Sequence, residues 1–149
     1  MRYLGIDYGE KRIGLSFADE LGVALPLSPI VLVQGADVVE AIGVVVREKK
    51  PDALVVGYPI NMDGSIGPKA QAVDALAQKL ERKLGVPVHT FDERLTTSQV
   101  EADLQSMGIG SKPKSIQAHK KKRASGELDS RVAALILQEF LESQRATDV

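Results

Sequence analysis

The run Ala53-Leu54-Val55-Val56-Gly57 constrains the fold more than any other stretch of the chain. It is short, uninterrupted by a polar side chain, and closed by Tyr58-Pro59. A segment apolar on both sides of its pleat needs cover on both faces, as a central strand between helices has. The flanking patterns agree. Val38, Ile42, Val45 and Val46 recur at helical spacing after Asp37, although the β-branched run Val44-Val45-Val46 pulls toward strand. Val73, Leu76, Ala77, Leu80 and Leu84 mark one face of a second helix, stopped by Gly85 and Pro87. Val86 to Phe91 reads as the next strand.

The N-terminal third has a different rhythm. Residues 2–7 read as a buried strand, and Ile13, Leu15 and Phe17 alternate with Gly14, Ser16 and Ala18 in a second. Tyr8-Gly9-Glu10-Lys11 between them predicts a hairpin turn. A third strand near 23–33 contains Pro26 and Pro29, which suit an edge or a bend. Downstream, Thr96-Thr97-Ser98-Gln99 and the pair Ser98 and Glu101 match capping boxes for a helix through Val100, Leu104 and Met107. Val132, Leu135, Ile136 and Phe140 form the last amphipathic helix. Antiparallel strands first and βαβ units after predict an α/β protein: a mixed sheet with helices on both faces. A length of 149 residues favours a single domain over 1–149, with a flexible segment at about 108–127.

Composition excludes several classes. With no Cys there are no disulfides and no thiolate metal sites, which is compatible with a reducing cytoplasm. Met1-Arg2 runs straight into a strand pattern, so no signal peptide is expected. No apolar run approaches the roughly 18 residues of a membrane span. The expected location is therefore cytoplasmic, with no membrane partner. The net charge of -1 conceals an asymmetry. Between Asp103 and Glu127 there is no acid, while Lys112, Lys114, Lys120, Lys121, Lys122 and Arg123 all fall there. Such a block points to a negatively charged partner; the alternative is a solvated basic loop.

Three acids interrupt these patterns where strands or helices end. Asp7 closes the first apolar strand, where an ionised carboxylate is costly unless paired or bound to a metal. Its ordinary alternative is to start the turn at Tyr8-Gly9. Glu93 follows the strand ending near Asp92, at the carboxyl end where α/β sheets bind ligands; the alternative is a surface ion pair with Arg94. Asp129 opens the last helix. As an N-cap it would be unremarkable, but it precedes Val132, Ala133 and Ile136 by three, four and seven residues. Those offsets place it on the inner side if it lies within the helix. An acid on the first strand, one after a later strand and one at the start of the last helix is the ribonuclease-H arrangement.

Four ordered motifs then carry a resemblance over roughly residues 2–141. Gly5-Ile6-Asp7-Tyr8-Gly9 with Arg12-Ile13-Gly14 is one. The loop from Val56-Gly57-Tyr58-Pro59 to Gly64-Ser65 is the second, with Tyr58 where Leu is more usual. Asp92-Glu93-Arg94-Leu95-Thr96-Thr97 is the third. The helix from Asp129-Ser130-Arg131 to Gln138 is the fourth, with Val132 in place of a smaller residue. The chain resembles the YqgF/RuvX family, the pre-16S ribosomal RNA nucleases, long described as Holliday-junction-resolvase-like. The resemblance implies a ribonuclease-H-like fold on a five-stranded sheet, with Asp7, Glu93 and Asp129 as catalytic acids. It also implies Mg²⁺ or Mn²⁺, and a role in maturing the 5′ end of the small-subunit ribosomal RNA.

On that expectation the reaction is phosphodiester hydrolysis by an endonuclease leaving a 5′-phosphate, with Asp7 bridging two metal ions ~4 Å apart. Lys11, Arg12 and Arg94 are candidate phosphate contacts, and the loop starting at Asn61 precedes a helix whose N-terminus suits a backbone phosphate. His89 reads as strand packing, and His119 as part of the basic block. The expected partner is RNA, or else branched DNA cut by a homodimer; a monomer suits RNA equally. A non-catalytic RNA- or nucleotide-binding module of the same fold is the rival. The actin and sugar-kinase proteins that share the phosphate hairpin use two such domains, for which 149 residues is too short.

The basic block gives a first prediction. Replacing Lys120, Lys121, Lys122 and Arg123 with Ala is expected to weaken RNA binding equally for all sequences, because phosphate contacts carry no base information. The log–log salt slope should flatten by roughly 0.7 for each phosphate of a single strand that is no longer neutralised. Filter binding at several salt concentrations measures both; unchanged affinity and slope would make the block a solvated loop.

Overall fold

A computed structural model describes residues 1–60, 63–92 and 127–147, with side chains in the last helix described over 130–145. The strands are β1 (Tyr3–Tyr8), β2 (Arg12–Ala18), β3 (Ala24–Val31), β4 (Ala53–Tyr58) and β5 (Val88–Asp92). The described helices are α1 (Val38–Lys49), α2 (Pro68–Leu84) and α3 (Glu127–Thr147). The strands form one sheet in the order β3-β2-β1-β4-β5. β2 is antiparallel to both β1 and β3, while β1, β4 and β5 are parallel. The sheet is mixed and five-stranded, as expected. The helix expected near 98–107 and the basic block lie outside the described residues.

Strand alternation sorts the side chains into two layers. Leu4 and Ile6 of β1, Ile13 and Leu15 of β2, and Leu54 and Val56 of β4 pack with Val39 and Ile42 of α1 and Val73, Leu76 and Leu80 of α2. On the other face Val55 and Ala18 pack with Ile136, Leu137, Phe140 and Leu141 of α3. Gly5 and Asp7, which alternate with Leu4 and Ile6, therefore belong to the α3 face. Phe140 anchors that layer, edge-on to Tyr3 at 5.5 Å and to Phe91 at 6.3 Å between ring centroids. His89 lies 5.3 Å from the Phe140 ring but is exposed, so it covers the edge of this layer and is not core.

Local chemistry sets the boundaries. Asp37 caps α1, its Oδ1 accepting from the Glu40 N–H at 3.2 Å. Within α1 the helical pattern overrides the β preference of the valine run: Ile42 and Gly43 are buried, Val45 and Val46 half-buried, and Val44 faces solvent. Gly85 ends α2 in the left-handed conformation, φ 68°. β5 starts at Val88 and not at Val86, because Pro87 has no N–H; it joins the ladder through its carbonyl, which accepts from Leu54 N–H at 2.8 Å. β3 is the edge strand its prolines suggested, and its pairing slips at Pro29: Ile13 pairs with Ile30, but Leu15 pairs with Leu27.

The approach of α3 to the sheet is close enough to need glycine. A Cβ on Gly5 would collide with Ser16 Oγ and stand 3.0 Å from both the Ala133 carbonyl oxygen and Leu137 Cβ. Gly5→Ala is therefore expected to destabilise by about 1–3 kcal/mol through overpacking. At this chain length that is a fall in melting temperature of roughly 3–10 °C, readable by circular dichroism. An unchanged melting temperature would mean α3 can lift off the sheet at no cost.

Candidate active site

β1, β4 and β5 are parallel, so their carboxyl ends share one edge of the sheet, the edge at which α/β proteins bind ligands. Asp7 stands at that edge on β1, 5% exposed. Across β2 it pairs with Gly14. On the other side Ile6 pairs with Val56, which brings Gly57 next in line on β4. The carboxylate is thus flanked on the α3 face by two residues without side chains. β5 ends at Asp92, two strands or about 10 Å from β1, and Glu93 follows outside the described residues.

α3 delivers the third acid to the same edge. The Ser130 hydroxyl accepts from the Leu15 amide at 3.3 Å, and both groups are buried. Leu15 follows Gly14, the cross-strand partner of Asp7, and antiparallel partners lie about 4.5–5.5 Å apart at Cα. One turn further into the helix, Ser16 Oγ donates to the Ala133 carbonyl at 2.8 Å. Near the middle of the helix Gln138 Oε1 accepts from Ala24 N–H at 3.0 Å, so the helix runs from the Asp7 edge toward the opposite edge. Asp129 is the third residue of the described helix, not its N-cap as one reading of the sequence allowed. It precedes the buried Ala133 and Ile136 by four and seven residues, which puts its backbone position on the inner face.

The remaining candidates divide in two. Lys11 lies in the hairpin turn after Asp7 and is exposed, and Arg12 opens β2 and is half-buried. The turn is closed by Gly9 N–H to the Arg12 carbonyl at 3.0 Å, and a Cβ on Gly9 would stand 2.5 Å from that oxygen. Asn61, Arg94, Lys120, Lys121, Lys122 and Arg123 lie outside the described residues, as does Glu93. The described residues alone therefore assemble no group of three His, Cys, Asp or Glu able to hold a metal ion. The donor chemistry fits a hard divalent cation: a buried carboxylate, on a face kept open by glycine, beside the start of a helix that carries a second acid.

Reading the residues did not single out the two buried serines. Their signal was present, since Gly14, Ser16 and Ala18 form a row of small residues on one face of β2, as a closely packed helix requires. It also passed over the pair at the end of β4. There Tyr58 Oη donates to Asp74 Oδ2 at 2.8 Å, tying β4 to α2 across the intervening loop. Within that loop, Asp63 Oδ1 accepts from the Ser65 N–H at 2.9 Å and from its hydroxyl at 2.6 Å, which holds the Asp63 carboxyl below its usual range.

The fold defines the class, a ribonuclease-H-like α/β protein. RuvC from T. thermophilus, solved in complex with a Holliday junction substrate, superposes with a TM-score of 0.60 at 15% identity, over 99% of this chain and 97% of that one. The fowlpox virus Holliday junction resolvase gives 0.54 at 10% identity, over 97% and 99%. At such identities the likeness concerns the fold. The family is shown by sequence: the model for RuvX, described as Holliday junction resolvase, matches residues 1–143, and the chain belongs to that family. A relative from Opitutus terrae, named "Putative pre-16S rRNA nuclease", is 45% identical over 145 residues, 97% of this chain and 93% of its own length. One of the same name from Anaeromyxobacter sp. (strain Fw109-5) is 40% identical over 147 residues, 98% of this chain and 100% of its own.

The Tyr58–Asp74 bond makes a prediction. The phenol is held protonated by its hydrogen bond to Asp74, by partial burial and by the Asp74 charge, so its pKa lies above 10.0. A group whose pKa is raised on folding stabilises the fold below its unfolded pKa and loses that contribution as pH climbs through the folded value. The contribution of Tyr58 should thus fade above pH ~10. Ultraviolet titration should show one phenol ionising late, and Asp74→Asn should bring it down; an unmoved curve would mean the bond does not persist in solution.

Proposed function

We propose that this protein is a divalent-metal-dependent nuclease that hydrolyses phosphodiester bonds in 5′-end maturation of pre-16S ribosomal RNA. Family membership and the names of the relatives support nuclease chemistry on a nucleic acid. The observation that carries the assignment to a site is Asp7, a buried carboxylate at the carboxyl edge of the sheet. Burial of an ionised carboxylate is unfavourable unless an opposite charge or hydrogen bonds offset it, and such groups concentrate where they do chemistry.

In this reading Asp7, Glu93 and Asp129 hold Mg²⁺ or Mn²⁺. Bound there, the ions would lower the pKa of the attacking water and neutralise charge on the scissile phosphate and leaving oxygen. Asp7 contributes a rigid ligand, since its backbone is locked between two strands. α3 brings Asp129 in along the glycine-lined face, and Glu93 completes the donor set from the end of β5. Lys11 on the hairpin turn and Arg12 at the start of β2 would hold the flanking phosphates. Hydrolysis by this route leaves a 5′-phosphate and a 3′-hydroxyl.

A second reading, resolution of four-way DNA junctions by a homodimer, uses the same acids; the family description and the resolvase folds favour it. The two differ in substrate. Asp7→Asn is expected to reduce cleavage roughly 10²–10⁴-fold, as loss of several kcal/mol of charge stabilisation implies at about 1.4 kcal/mol per factor of ten. The melting temperature without metal should hold or rise, because in this reading one of several close like charges is removed. Cleavage of a precursor ribosomal RNA fragment and of a four-way junction, each with Mg²⁺ or Mn²⁺, measures both points. Wild-type rates in the variant would remove Asp7 from the site. A preference for the junction would exchange the substrates.

A further inference from the structure

We propose that Ser130 is a positioning residue that sets where the acid beside it, Asp129, stands relative to Asp7; this rests on the metal-site reading above. Three facts carry it. First, β3 holds one residue more than β2 between the pairs Ile13–Ile30 and Leu15–Leu27, so Ser28 and Pro29 stand against Gly14 alone. The irregularity falls beside Leu15, whose amide donates to Ser130 Oγ at 3.3 Å in a buried bond. Second, that bond falls one residue along the chain from Asp129 and one residue along β2 from the partner of Asp7. Gly14, the pairing partner of Asp7, precedes Leu15, and Asp129 precedes Ser130. Third, Asp129 lies in the first turn of the described helix. Terminal turns fray unless something outside the helix holds them, so an acid placed there is soft unless pinned. The buried serine, 3% exposed, pins this one to β2, the strand paired with β1 at Asp7.

The function of the slip in β3 follows from this. A bulge disrupts the ladder locally, and the Leu15 amide beside this one bonds to the helix across the sheet face. Ser16 Oγ donates to the Ala133 carbonyl one turn later and fixes helix height; Ser130 fixes the end. Groups that orient metal ligands are worth roughly 10–100-fold in metal affinity.

The test is Mn²⁺ binding to the intact protein, followed by the electron paramagnetic signal of the free ion, beside thermal unfolding. Ser130→Ala should weaken Mn²⁺ binding roughly tenfold or more. Ser130→Cys, which fills the same space with a poor acceptor, should weaken it in the same direction and reads the effect should the alanine variant not fold. Gln138→Ala removes α3 bonds to Ala24 N–H and the Gly22 carbonyl, far from Asp129, and should leave Mn²⁺ affinity unchanged while lowering the melting temperature. Wild-type affinity in both Ser130 variants overturns the proposal, as does an equal loss in the Gln138 variant, which would mean general loosening of α3. Asp7→Asn separates the two readings. If it binds Mn²⁺ as the wild type does, the metal site itself falls, and the positioning role with it. If it loses the ion while the Ser130 variants keep it, the positioning role alone falls.

Discussion

The seating of α3 on one face of β1 and β2 is the constraint on which the rest of the molecule depends. Glycine at position 5 and the small residues of β2 let the helix backbone come within hydrogen-bonding reach of a strand side chain, Ser16 to the Ala133 carbonyl at 2.8 Å. That approach is intolerant of added volume, because interiors packed at crystal-like density cannot absorb a methyl group without moving a neighbour. Phe140 then fills the wider part of the same layer, against Tyr3, Phe91 and His89.

The seating has a chemical consequence. An acid on a strand and an acid on a helix belong to units that meet only through packing, so their separation is no more definite than the packing is. Here the first half of the helix is tied to the strands: near its start by Ser130, one turn on by Ser16, and near its midpoint by Gln138. The carboxylate of Asp7 is nearly buried on the face this helix covers. A preorganised group of this kind is useful to catalysis because its electrostatic work is done before substrate arrives.

Much of the architecture was legible in the residues, for reasons that differ by element. β4 was readable because a five-residue apolar run permits only a doubly covered strand. α2 was readable because its apolar face repeats from Val73 to Leu84 and is stopped by Gly85. The β1–β2 hairpin followed from alternation and a four-residue turn. Two features were less legible. The bulge opposite Gly14 depends on how Pro29 is accommodated by a neighbouring strand, and the start of β5 depends on which group Pro87 offers to β4. Both are decided by the partner strand, which local pattern does not contain.

The candidate site divides along the same line. The sequence by itself supplied the candidates: no cysteine, an acid closing the first strand, and acids after a later strand and at the last helix. Family membership is likewise written in the order of its motifs. Only the tertiary structure decided that Asp7 shares its face with α3, that glycines flank it, and that a buried serine ties the helix beside Asp129 to the strand beside Asp7. The physical reason is range. Residue type and periodicity report on neighbours within a turn or a pleat, whereas Leu15 and Ser130 stand 115 residues apart and meet only when the sheet and the last helix pack together.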